Sequence, residues 1–193
     1  MSIISKGNHK LAKSVGIFNL PTRSTCPGAT ATCAAICYAR KPERYSKQAV
    51  ALRARNYELS KSEIFVDTLI KEITAAKTRL FRFHEAGDVY SIEYFNKICQ
   101  VCKALPDVKF LMYTKSFFIA PLEKPENLQV YWSVDKSTRE AVPAGVTARL
   151  LLKGEVPVPG EVTCNPAGLD KHYCGAVCTT CFQGKNNVYF NQH

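Results

Sequence analysis

Nine cysteines in three tight groups constrain this chain more than any other feature of its 193 residues. The first group is Cys26, Cys33 and Cys37, in TCPGATATCAAICYA; the second is Cys99 and Cys102, in KICQVCKAL. The third is Cys164, Cys174, Cys178 and Cys181, in VTCNPAGLDKHYCGAVCTTCFQ. An odd count argues against a disulfide scaffold, and a chain of this length can bury a core without such staples. The opening MSIISKGNHKLAKS has no apolar leader pattern, and no apolar run approaches the roughly 20 residues of a membrane-spanning helix. The expectation is a cytoplasmic protein whose thiols stay reduced, which makes metal binding the leading use for them.

The middle pair reads as packing. Ile92, Phe95, Cys99, Cys102 and Leu105 recur at three- and four-residue steps, the core stripe of an amphipathic helix. The outer groups sit instead in stretches rich in Gly, Pro and Thr. Pro27–Gly28 puts Cys26 on a bend, and Cys33 and Cys37 lie one helical turn apart. Cys174-x3-Cys178-x2-Cys181 places three sulfurs on one loop, with Gly175 easing the backbone. Thiolates this close repel one another, so three or four together imply a cation or cluster that keeps them deprotonated. Four soft donors suit tetrahedral zinc or a [4Fe–4S] cluster equally well by ligand type. Paired CxxC knuckles, the usual zinc pattern, are missing, and Cx3Cx2C is the three-cysteine spacing of radical-SAM enzymes, so spacing favours iron–sulfur.

Hydrophobic periodicity predicts an α/β chain. Strands are expected at 15–20, 80–84, 109–114, 128–134, 148–152 and, more weakly, 188–190, with helices at about 41–59, 61–77 and 91–105. Ser60 and Glu63 make an S-x-x-E capping box for the second helix. Early alternation of strand and helix points to parallel βαβ units, but later connections are too short for a full (β/α)8 barrel of ~250 residues. A small or partial barrel-like single domain over residues 1–193, closed by its cysteine-rich N- and C-terminal segments, is the expected architecture.

Charge is concentrated at one end. Residues 1–61 hold eleven Lys/Arg against Glu43 and Glu58 alone, while the rest of the chain has fifteen basic and fourteen acidic side chains. A solvated helix face accounts for this in the ordinary way; an anionic small molecule or nucleic acid is the sharper alternative. A non-enzymatic zinc module that binds nucleic acid through this basic third is the competing functional class.

In parallel α/β folds ligands collect at the carboxyl ends of strands. His84, Glu85 and Asp88 follow LFRF, Lys115 and Ser116 follow KFLMYT, and Ser133, Asp135 and Lys136 fall at the end of LQVYWSV. Helix capping and solvation explain several of these. If only three thiolates hold a cluster, the open iron would take substrate or SAM, and His84, Asp88 and Lys115 would line the reaction cleft.

Four stretches, FNLPTRSTCPGATATCAAICYARK, RFHEAGDVYSIEYF, FLMYTKS and the closing VYFNQH, together resemble the bacteriophage gene product 88 family. Its specific parts are CPGAT-x2-C-x3-CYA and RFH-x2-GD. The resemblance implies a phage or prophage origin and a cysteine-held iron–sulfur site, with no established reaction. It falls on Cys26, Cys33, Cys37, His84, Gly87, Asp88, Tyr113, Lys115, Cys164, Cys174, Cys178, Cys181 and His193.

Overall fold

LFRF alternates, and its four residues divide two cores between them. In the computed structural model, which describes residues 2–138, 140–164 and 174–192, this segment is strand β3 (Leu80–Phe83). Phe81 and Phe83 face a helix-lined core, while Leu80 and Arg82 face the other side of the sheet. The remaining strands are β1 (Ser5–Lys6), β2 (Val15–Phe18), β4 (Lys109–Thr114), β5 (Leu128–Val134), β6 (Thr147–Leu151), β7 (Val162–Thr163) and β8 (Val188–Asn191). They form one eight-stranded sheet in the order β1-β2-β3-β4-β5-β6-β8-β7. Every neighbouring pair is parallel except β1 with β2, and the hydrogen-bonded ladder ends at β1 and β7. The domain is therefore mixed α/β, with β1 to β6 laid side by side in chain order and β8 inserted between β6 and β7.

The helices are α1 (Ala31–Ala35), α2 (Arg40–Tyr45), α3 (Lys47–Lys61), α4 (Phe65–Ala75) and α5 (Ile92–Ala104). Phe65, Leu69 and Ile73 of α4, and Tyr94, Phe95 and Ile98 of α5, bury against Phe18, Phe81, Phe83, Phe110 and Met112. Each such side chain contributes about 1.5–3 kcal/mol of burial. Cys99 and Cys102 lie on this apolar stripe of α5, as their spacing required. No helix among the described residues is long and apolar enough to cross a membrane.

Two element boundaries depart from expectation. The basic helix is two helices, because Ser46 adopts an extended backbone and caps α3 by accepting from the Ala49 amide at 3.1 Å. Ser60 caps nothing: it lies inside α3, its hydroxyl donating to the Tyr57 carbonyl at 2.7 Å and lying 2.8 Å from the Tyr90 hydroxyl. The next helix starts at Phe65, where the apolar stripe can reach the core.

Candidate functional site

The three polar motifs at the strand ends are built into one another. Gly28 lies against the end of β4 so closely that a Cβ there would sit 2.0 Å from the Lys115 carbonyl oxygen. Gly87, at φ +81°, packs on Leu20, where a Cβ would come within 2.5 Å of the Leu20 Cβ. Asp88 then accepts three hydrogen bonds: from the Thr114 hydroxyl at 2.6 Å, the Lys115 amide at 2.9 Å and the Val89 amide at 2.7 Å. Lys115 Nζ reaches across to β5, 2.9 Å from Asp135 Oδ2 and 3.0 Å from the Ser133 carbonyl. Thr30 closes the circuit. Its hydroxyl accepts from the Cys33 amide at 3.0 Å and donates to the same Asp135 oxygen at 2.6 Å. The loop bearing Cys26, Cys33 and Cys37 is thus seated over the carboxyl ends of β3, β4 and β5.

Burial sets the protonation here. It pushes the Cys26 thiol up to about 12, helped by the Asp88 charge and by Cys33 and Cys37. Burial also raises Cys33, against the opposing charge of Lys115. Asp88 rises to about 6 through burial, although its three hydrogen bonds resist this. For Asp135 the balance reverses: burial would raise the carboxyl, but Thr30 and Lys115 hold it below the ordinary value.

His84 belongs elsewhere. Its backbone is left-handed at φ +61°, and its ring packs with Phe83 and Tyr94, Nε2 lying 2.8 Å from the Tyr94 hydroxyl. Nδ1 is buried without a partner, and burial with nearby Arg82 pushes the imidazole down to about 3. The structure therefore brings Asp88 and Lys115 together with the N-terminal thiols and puts His84 into the core as a neutral ring.

The C-terminal thiols form a second neighbourhood on the other face of the sheet. Cys174 pairs with the chain near its start, its amide 3.2 Å from the Lys10 carbonyl and its carbonyl 2.9 Å from the Ala12 amide. Cys164 and Cys178 lie near enough to raise the Cys174 and Cys181 thiols, so this group gathers around its own members, while Cys26 and Cys33 are neighboured by Cys37. Burial pushes Cys174 up to about 12 against the opposing charge of Arg82, and burial raises Cys181 against a hydrogen bond with Tyr113. Cys26, Cys33, Cys37, Cys99, Cys102, Cys174, Cys178 and Cys181 are free thiols. Among the described residues, no three Cys, His, Asp or Glu side chains meet at metal-ligand geometry. The donor set is chemically right for a soft metal, with its thiols grouped but not drawn to bonding distance. His193, the remaining candidate, lies outside the described residues.

Arg82 lies between the two neighbourhoods. Its guanidinium carbon is 4.9 Å from the centre of the Tyr113 ring, and it neighbours Cys174 and the Tyr38 hydroxyl, which donates to the Glu85 carbonyl at 3.0 Å. Tyr38 in turn follows Cys37 directly. Arg82 Nε is sealed from solvent with no hydrogen-bond partner, and no carboxylate among the described residues is within ion-pair distance of the guanidinium. Sequence reasoning passed over Arg82 and Thr30. The signal for Arg82 was a charge at a face-inward position of a strand flanked by large apolar residues; Thr30 carried none beyond its place before a short helix.

The family model described as Gene product 88 matches residues 2–188. The Gene 88 protein of Mycobacterium phage L5 is 28% identical over 218 aligned residues, covering 97% of this chain and 91% of that protein. Its counterpart in Mycobacterium phage D29 is 26% identical over 219, with the same coverage. No solved structure matches the chain.

Proposed function

The chain belongs to the gene product 88 family, and from that premise we propose that it is a thiolate-ligated metalloprotein carrying a [4Fe–4S] cluster. The observation that carries the reading is Arg82, a cation with an unused, enclosed Nε–H set against Cys174 and the Tyr113–Cys181 pair. An enclosed, unused donor on a cation with no carboxylate in ion-pair reach among the described residues favours an anion beside it. A four-thiolate metal group is such an anion. Cys164, Cys174, Cys178 and Cys181 would hold it, with Arg82 as counter-charge and the Tyr113 hydroxyl donating to the Cys181 sulfur.

Cys26, Cys33 and Cys37 offer a second set of three thiols. A cluster held there would leave one iron open, able to take a substrate or SAM. That position adjoins Asp88 and the Lys115–Asp135 pair, which would orient a polar ligand over the strand ends. Consecutive parallel strands with helices on one face support a partial-barrel reading, in which this loop follows the first parallel strand. Bound metal would add its binding energy to folding and would tie Cys164 and the segment 174–181 to the sheet.

Anaerobic purification followed by iron, sulfide and zinc analysis tests the proposal. Brown protein with about four irons per cluster, absorbing near ~400 nm and bleached in a Cys174→Ser/Cys181→Ser variant, is the expected result. Colourless protein with stoichiometric zinc would replace the reading with a zinc module, and metal-free protein under all conditions would end it.

A further inference from the structure

The helix that follows the first cysteine group presents a surface that the thiol chemistry does not use. On α2 the side facing the protein is set by Glu43, which accepts from the Thr22 amide at 3.2 Å, the Thr22 hydroxyl at 2.7 Å and Arg53 at 2.8 Å. At 100° per residue Lys41 and Tyr45 fall on the opposite side, with Arg44 on the flank 100° from Glu43. All three are exposed, Tyr45 at 85%. Lys47, also exposed, begins the next helix beside them. Glu43 is the only acidic residue from 1 to 57, and Arg53 pairs with it, so α2 contributes no unpaired acidic side chain to this face. The remaining chain is nearly balanced in charge, so the excess positive charge is carried by residues 1–61, α2 among them.

The Tyr45 ring stands bare among solvated cations and contributes no burial to the fold. Lysine and arginine match phosphodiester charge, and an exposed ring offers a flat face to an unstacked base. We propose that the outer face of α2, built from Lys41, Arg44, Tyr45 and Lys47, binds single-stranded nucleic acid, with backbone phosphates on the cations and a base stacked on Tyr45. A duplex has its bases stacked on one another and offers Tyr45 no free face, so the ring selects single strands. This surface does not depend on what the thiols hold.

Fluorescence anisotropy of the full chain with a labelled 15-nucleotide single strand, DNA and RNA, at 50 and 200 mM salt tests the proposal. Expected are binding that weakens steeply with salt, preference over the matching duplex, a loss of about fivefold or more in Tyr45→Ala, and a loss above tenfold in Lys41→Glu/Arg44→Glu. Lys71→Glu, an exposed position on α4, should leave affinity within twofold. Far-UV circular dichroism establishes that each variant is folded. The proposal is overturned by absence of binding at 50 mM salt, by equal affinity for duplex, by an unaffected Tyr45→Ala, or by Lys71→Glu weakening binding as much as the α2 charge reversal.

Discussion

Lys115 and Asp135, at the ends of adjacent parallel strands, form an ion pair 2.9 Å long with side chains only 9% and 1% exposed. Thr30 donates to the same carboxylate, so one buried pair ties β4, β5 and the cysteine loop together. Removing one member leaves the other charge buried and alone, which costs about 3–5 kcal/mol. Asp135→Asn and Lys115→Met are each expected to lower unfolding free energy by roughly that amount at pH 7, measured by urea denaturation. Losses below about 1 kcal/mol would mean that water reaches the pair.

Gly28 is required by space, because its Cα abuts the Lys115 carbonyl. Gly28→Ala should push the Cys26 turn off the end of β4, lowering stability by about 1–3 kcal/mol. Thermal unfolding checks the stability loss. Reactivity of Cys26 toward a thiol reagent, raised by its exposure, checks the displacement.

His84 ties stability to acid pH. Its neutral form is held by burial with a folded value of about 3, far under the ordinary 6.5. A depressed folded value means the contribution is complete above pH 6.5 and is lost as pH falls toward 3. This group alone contributes a slope of up to about 1.4 kcal/mol per pH unit over that span. His84→Asn tolerates the left-handed backbone and cannot titrate, so its unfolding free energy should fall less than wild type's between pH 6.5 and 4. Parallel denaturation series at several pH values provide the comparison, and identical slopes would remove His84 from the account.

Cys26 and Cys174 both sit near 12, so a metal must displace protons to bind them. Metal affinity should therefore climb from pH 6.5 to 8.5, as read by competition with a chromophoric chelator. A pH-independent affinity would speak against thiolate ligation.

Arg82→Met separates structure from ligation. Its Nε is enclosed without a partner and it forms no ion pair among the described residues, so replacing it by an apolar side chain should not lower metal-free stability by more than about 1 kcal/mol. Metal affinity should drop at least tenfold if the guanidinium offsets thiolate charge. Equal losses in both measurements would recast Arg82 as a packing residue.

Much of the strand arrangement was legible because period-2 alternation and turn residues are local. KFLMYT and LQVYWSV became β4 and β5 with the expected limits, and the stripe of Cys99 and Cys102 went to the core of α5. The capping box at Ser60 misled, because a cap is only as good as the helix start beside it. Burial of Phe65, Leu69 and Ile73 set that start four residues later than the S-x-x-E pattern implies. The break at Ser46 was missed because one serine's choice between helix and cap depends on where Glu43 is anchored.

Residue types and spacing alone determined that this chain is α/β, that its thiols fall into a packing pair and two ligand-like groups, and that its positive charge lies at one end. Only the tertiary structure decided which groups share a site. It put Gly28 on Lys115, Asp88 under the Lys115 amide, Asp135 between Lys115 and Thr30, and Arg82 between two sets of thiols, while sending His84 into the core. The reason is physical: side-chain periodicity is written within a few neighbouring residues, whereas charge pairing, burial and close backbone approach depend on segments as much as a hundred or more positions apart.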